Sequence, residues 1–394
     1  MKLKKYVSQL DFNQALYPDY FFLKNKTDEE LKVLKRSWLR GFLRTNAVLP
    51  KVDDKIDFLF FRSMVRDDYK ALFHEIASVI DSEKIVFVED YKIRQNKMNI
   101  EASRFLMEHY WIFERINFGN GLLNSCCFIR LMEYLFICSK IISYNFTFLV
   151  TFADMQPVEN LLVQLTKLTN RKTVTLQHGL YVDYGDMDTV NVVNYKHHCA
   201  DYFLAWGLST KRLIEKYHNS IIEVCGKTSI FGLPEHCYPE NKSEHKKILV
   251  VLDQRIFDEQ NFAMLDIVSR YTQGKFIEIY VRFHPSNNKE LYFERFPNVK
   301  LIVNIEEDFI VIGHTSSMIY EALVLGYESY RYTTEIPSLG FPKELSFTDY
   351  ASFEDVLHTG IRQKGGKDYI DCTGLASKVK YKNFFNMLLG STES

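Results

Sequence analysis

A chain of 394 residues is too long for one ordinary domain and suits two of about 150–200 residues each. Hydrophobic residues make up 46% and charged residues 25%, enough to bury two cores, which excludes a disordered chain. With 49 basic and 50 acidic residues the formal net charge is −1, so the charge balance does not point to nucleic acid as a partner.

Seven cysteines (Cys126, Cys127, Cys138, Cys199, Cys225, Cys237 and Cys372) are odd in number and form no C-x-x-C pair. Neither a disulfide framework nor a zinc site is expected, and reduced cytoplasmic thiols are the simple reading. The basic start Met1–Lys5 is broken by Asp11 and Asn13 before any apolar run long enough for a signal peptide. The most apolar stretch, residues 131–152, is interrupted by Glu133 and Lys140, short of the roughly 20 apolar residues a membrane span needs. It reads as a buried helix feeding a buried strand. Peripheral contact with a membrane through the basic, aromatic N-terminus is left open as an alternative.

Residues 1–50 carry charges and aromatics without a clean period, apart from a helix expected over 27–43. Strands are expected at 56–61 and 84–88, with a helix around 69–80 between them. The first 140 residues otherwise read as irregular. Beyond Asn120 the pattern sharpens: strands at 147–151, 173–176, 202–206 and 221–224 alternate with helices at 158–168 and 210–217. Such alternation means βαβ units and a parallel sheet. Turn-forming residues at 232–242 mark a linker. The alternation then restarts with strands at 247–252, 276–283, 299–303 and 309–312, and helices at 262–271 and 316–325, the last closed by Gly326. The expected organisation is a first α/β domain over 1–235, a second over 245–370, and a C-terminal tail or helix over 371–394.

Ligands of parallel sheets sit beyond the carboxyl ends of the strands, and three segments lie there. Gln177-His178-Gly179 follows the strand at 173–176 and offers an imidazole at a turn that a ligand can approach closely. Arg282-Phe283-His284-Pro285 places a fixed cation and an imidazole two residues apart, with proline stopping the strand. Gly313-His314-Thr315-Ser316-Ser317 runs from an apolar strand into a helix, where free N–H groups and hydroxyls suit an anion such as a nucleotide phosphate. An ordinary helix cap accounts for the serines equally well, but not for Glu321, a carboxylate on the next turn of an otherwise apolar helix.

In order and placement, Gln177-His178-Gly179, His284-Pro285, Ser316-Ser317 and the run Glu321-Ala322-Leu323-Val324-Leu325-Gly326 resemble the GT-B glycosyltransferases. Bacterial capsule and cell-wall polymer enzymes of the Kdo-transferase, sialyltransferase and CDP-glycerol glycerophosphotransferase types are the most similar. The resemblance spans about residues 147–332. It implies two Rossmann-like domains facing a cleft, a CMP-, CDP- or UDP-linked sugar donor, a saccharide or polymer acceptor, and neither metal nor cofactor. It also implies that His284 assists departure of the nucleotide, and that Arg282, Thr315, Ser316 and Ser317 bind its phosphates. Glu321 would hold the ribose. His178 would serve the acceptor between Gln177 and Gly179, with Asp154 as a rival base. The strand at 247–252 departs from the pattern, leading into Asp253-Gln254-Arg255 rather than a glycine-rich turn.

Two other readings compete. A sugar-nucleotide 2-epimerase of the same fold would need acid–base residues beside a first strand at the very N-terminus, which residues 1–10 do not make. A catalytically inactive scaffold would keep the fold and use the first 140 residues as an interaction surface.

Overall fold

The computed structural model describes residues 4–52, 55–89, 91–229, 247–302, 309–359 and 365–391. The expected linker at 232–242 and the end of the expected strand at 299–303 lie outside the described residues.

Short runs of β-branched and aromatic residues build two six-stranded sheets. Across the first, the strands lie in the order Ile85–Val88, Ile56–Phe61, Phe146–Thr151, Lys172–Leu176, Tyr202–Ala205 and Ile221–Val224. Every neighbouring pair is parallel. The second has Lys300–Leu301, Glu278–Arg282, Lys247–Val251, Ile310–Gly313, Ser329–Tyr332 and Ser346–Phe347, again all parallel. In each sheet the chain starts near the middle, works to one edge, then returns and works to the other. Each sheet therefore has a point of reversal where loops part and a ligand can enter. In the second, that point lies between Lys247–Val251 and Ile310–Gly313.

The described residues among the first 140 form regular elements rather than an irregular stretch, which corrects the sequence-based expectation. They supply two strands of the first sheet and a helical layer over it. Helix Asp28–Phe42 begins with a capping box, Thr27 accepting the Glu30 N–H while Glu30 reaches back to the Thr27 N–H. Helix Gly121–Ile141 is long and apolar enough in composition to cross a membrane, yet most of it is buried here between helices Phe12–Leu23, Asp28–Phe42 and Pro157–Leu168. Glu133, inside this layer, is bound by Lys92 at 3.3 Å and Arg130 at 3.1 Å.

The last helix, Gly374–Gly390, returns to the first sheet. Phe385 packs edge-on to Phe58 at 5.4 Å between ring centroids, and Tyr381 and Leu388 are buried in the same cluster. Truncating such a buried Phe costs about 3–5 kcal/mol, so this helix is firmly held to the first half of the chain. The segment leading into it also packs there: the Lys227 N–H donates to the Cys372 carbonyl at 2.9 Å.

Candidate active site

Loops at the carboxyl ends of both sheets face one another across a cleft of about 520 Å3. Its second-sheet wall is built first by helix Ser317–Leu325. Ser316 caps it, its hydroxyl accepting the Met318 N–H, and Gly326 closes it at φ 83°, a left-handed conformation that suits glycine. No hydrogen-bond acceptor meets the N–H groups of Ser316 and Ser317 among the described residues, and the helix dipole adds positive potential there. Thr315 differs: its N–H donates to Asp253 Oδ2 at 2.8 Å, so the protein's own carboxylate occupies that donor. Asp253 Oδ2 also lies 3.1 Å from Nδ1 of the fully buried His314, whose Nε2 meets the Thr334 hydroxyl at 2.7 Å.

Arg282 and His284 line the same wall. The Ser286 backbone N–H donates to His284 Nδ1 at 3.2 Å, and the Ser286 hydroxyl lies 2.8 Å from the same atom. A backbone N–H can only donate, so Nδ1 is an acceptor and the neutral ring carries its hydrogen on Nε2. His284 is therefore set as a donor.

From the first sheet comes His178, half-buried, with the Tyr181 hydroxyl 2.9 Å from its Nδ1 and the Tyr69 ring edge-on at 6.0 Å. Burial, then the charges of His198 and Arg66, push its imidazole down to about 3. His178 is thus neutral at ordinary pH. Gly179 lines the cleft beside it. Gln177 stands behind the turn, its carbonyl accepting the Trp206 N–H at 2.6 Å and its amide donating to the Gly179 carbonyl at 2.7 Å. It shapes the loop without reaching the ligand space.

Asp154 is not brought into the cleft. It is fully buried, bonded to His198 Nδ1 and to the N–H groups of Cys199 at 2.7 Å and Ala200 at 2.8 Å. Burial alone would raise its carboxyl, but the charge and hydrogen bond of His198 and the two N–H groups hold it below the usual carboxylate range. With both oxygens engaged it braces the loop before Ala200 and is out of reach of an acceptor.

Ser317, Glu321 and three residues the motif reading passed over complete the site. Lys227, Trp206 and Asp253 all line the cleft. Trp206 and Asp253 sit just past strand ends, the signal that found the histidines, and Lys227 comes shortly after another. What sequence could not show is that Lys227 reaches Glu321, 2.8 Å from Nζ to Oε1. Among the described residues no three His, Cys, Asp or Glu side chains cluster as a metal ion would need.

No protein-family model matches the sequence, and no curated protein matches it significantly. Solved structures do match over most of the chain. A Listeria monocytogenes protein assigned as a UDP-N-acetylglucosamine 2-epimerase has a TM-score of 0.53 at 13% identity, covering 82% of this chain and 94% of its own. UDP-N-acetylglucosamine 2-epimerase from Rickettsia bellii gives 0.52 at 11% identity, over 86% and 97%. The S. aureus MnaA–UDP complex gives 0.50 at 12%, over 85% and 97%. At this identity the likeness concerns architecture alone. The chain has the GT-B-like fold, two Rossmann-like parallel-sheet halves facing a cleft.

Proposed function

We infer that the protein is a glycosyltransferase moving a sugar from a nucleotide-activated donor to a saccharide acceptor. The observation that carries this reading is the meeting, in one cleft, of neutral His178 from the first sheet with Arg282, His284 and an uncovered helix N-terminus from the second. The donor phosphates would lie on the N–H groups of Ser316 and Ser317, with the Arg282 charge beside them. As the bond from the anomeric carbon to the phosphate oxygen breaks, His284 Nε2–H would donate to that oxygen, stabilising charge where it develops. The acceptor hydroxyl would attack the anomeric carbon and pass its proton to His178 Nε2, in the tautomer whose Nδ1 donates to Tyr181. A histidine with so low a pKa is a weak base, so its first task is to orient that hydroxyl, taking the proton as the new bond forms.

The finer reading rests on the motif resemblance. The donor would be CMP-, CDP- or UDP-linked, the acceptor a growing bacterial capsule or cell-wall polymer, and the place of action the cytoplasm or the inner face of the plasma membrane. A second reading, sugar-nucleotide 2-epimerase, is favoured by the three structures above. The sequence-based objection to it weakens, because the first strand of the sheet lies at Ile56–Phe61 and not within residues 1–10.

The test is a panel of nucleotide sugars and CDP-alditols, each incubated with and without a polysaccharide acceptor. A transferase releases nucleotide and extends the acceptor only when both are present, whereas an epimerase converts the donor alone. If no nucleotide raises the melting temperature and no donor turns over, both enzymatic readings fall and the inactive scaffold stands.

A further inference from the structure

Glu321 is 4% exposed and yet lines the cleft. Its Oε1 carries the whole of the protein's attention: Lys227 Nζ at 2.8 Å and the Ser317 hydroxyl, one helical turn earlier, at 3.0 Å. No hydrogen bond engages Oε2 among the described residues. A buried carboxylate is costly unless compensated, and here the compensation falls on one oxygen.

Lys227 is held as tightly as its partner. Its side chain is 7% exposed, and its ammonium lies 4.9 Å from the Trp206 ring centroid. Its backbone is fixed by the bridge to Thr373 and by the N–H bond to Cys372. Gly226, at φ 77°, lets the chain pass there, where a Cβ would meet the Cys372 carbonyl oxygen at 2.2 Å. Lysine flexibility has been removed by construction.

We propose that Lys227 is the positioning residue that orients Glu321 for a ribose diol, so that ribose recognition in the second half depends on a cation supplied by the first. With Oε1 anchored by Lys227 and Ser317, the carboxylate cannot rotate, and Oε2 stays available to accept a ribose hydroxyl. Without the ammonium, the carboxylate is free to turn and to draw in water or the Ser317 hydroxyl with either oxygen. This inference rests on the nucleotide reading of the cleft, with Glu321 as its ribose residue, and adds to it the cation that sets the geometry of that carboxylate.

The experiment is calorimetry of the full-length protein with UDP and CDP, each paired with its 2′-deoxy counterpart. Wild type should prefer the ribonucleotide by about tenfold or more, the size of a hydrogen bond to a charged group. Lys227→Met should bring the two affinities close to one another, and Glu321→Gln should do the same. A Lys227→Met protein that is merely less stable but keeps the wild-type ratio overturns the proposal, since a purely structural brace predicts that result. Should the methionine variant not fold, Lys227→Gln, whose shorter, uncharged side chain removes the ammonium from Oε1, is read by the same ratio. It should show a reduced preference, and an unchanged one overturns the proposal. Wild type that binds nucleotides without preferring ribose refutes the ribose assignment alone, whereas wild type that binds neither nucleotide refutes the cleft reading beneath it.

Discussion

Asp253 Oδ2 accepts the Thr315 backbone N–H at 2.8 Å and lies 3.1 Å from His314 Nδ1, tying together the loops at the point of reversal of the second sheet. Where the resemblance implies a glycine-rich turn, this chain places a carboxylate against its own backbone. In the proposed reading the donor phosphates would therefore lie on Ser316 and Ser317. Asp253→Ala should strand a part-buried N–H and a buried imidazole, costing about 1–3 kcal/mol of stability. Asp253→Asn keeps an acceptor for Thr315 and should cost less. Urea unfolding of the two variants gives the order, and equal losses would show that the carboxylate is not what holds the loops.

The two serines at the helix start have different neighbours and should behave differently. Ser316 caps Met318, so Ser316→Ala should cost about 1 kcal/mol of stability while Ser316→Gly costs only a few tenths. Phosphate recognition through backbone N–H groups survives the glycine variant. Ser317→Ala removes the second anchor on Glu321 and a hydroxyl facing the cleft, and should weaken nucleotide binding by about 1–3 kcal/mol with little effect on folding. Calorimetry beside thermal unfolding separates the two. Identical affinities for wild type and Ser317→Ala would remove Ser317 from the site.

Much of this site was legible because a parallel sheet exports its chemistry to strand ends. Apolar runs such as those of strands Lys247–Val251 and Ile310–Gly313 mark strands by themselves, and the polar residues shortly after each are candidates from the sequence alone. That rule brought His178, Arg282, His284 and Ser316 to one cleft. It failed at Asp154, which also follows a strand, because its carboxylate turns inward to His198 and two N–H groups. Sequence cannot show which way a strand-end side chain turns when the deciding partner is remote. The apolar stretch at 131–152 was legible as a buried helix feeding a buried strand, and helix Gly121–Ile141 leads into strand Phe146–Thr151. Only the start of that helix escaped, because, covered on several sides, it shows no polar stripe of the kind that marks a surface helix. The Lys227–Glu321 pair joins a residue after the last strand of the first sheet to one on helix Ser317–Leu325, 94 positions on, and no local pattern encodes it.

His178 should make stability sensitive to acid. Its folded-state pKa is lowered to about 3, whereas an unfolded histidine titrates near 6.5. Above about 6.5 neither state binds the proton and His178 adds no pH dependence. As pH falls below that, the unfolded chain takes up a proton that the folded ring refuses. Stability is therefore lost toward acid, by up to about 1.4 kcal/mol per pH unit from this group. His178→Gln should flatten the slope of unfolding free energy against pH between about 4 and 6 by as much as one proton. An unchanged slope would mean that the ring protonates freely in the folded protein.

The two histidines of the cleft should separate binding from turnover. His284 is set by Ser286 as an Nε2–H donor on the wall with Arg282 and the helix N-terminus, where in the proposed mechanism a departing nucleotide phosphate would gather charge. Removing one preorganised donor of this kind typically costs about a hundredfold or more in rate, so His284→Ala should lose turnover by that factor while the fold stays intact. His178 stands on the opposite wall with Tyr181 fixing its ring. His178→Ala should also lose about a hundredfold or more, but with nucleotide affinity near that of wild type, because its proposed partner is the acceptor. Tyr181→Phe should reproduce part of that loss by freeing the ring, again without changing nucleotide affinity. Turnover of a donor and acceptor pair, measured beside nucleotide binding for the three folded variants, decides the matter. Wild-type turnover in both histidine variants would leave the cleft as a nucleotide site and remove the proposed chemistry from it. A loss of nucleotide affinity in His178→Ala would move that residue to the donor and leave the acceptor without an assigned partner.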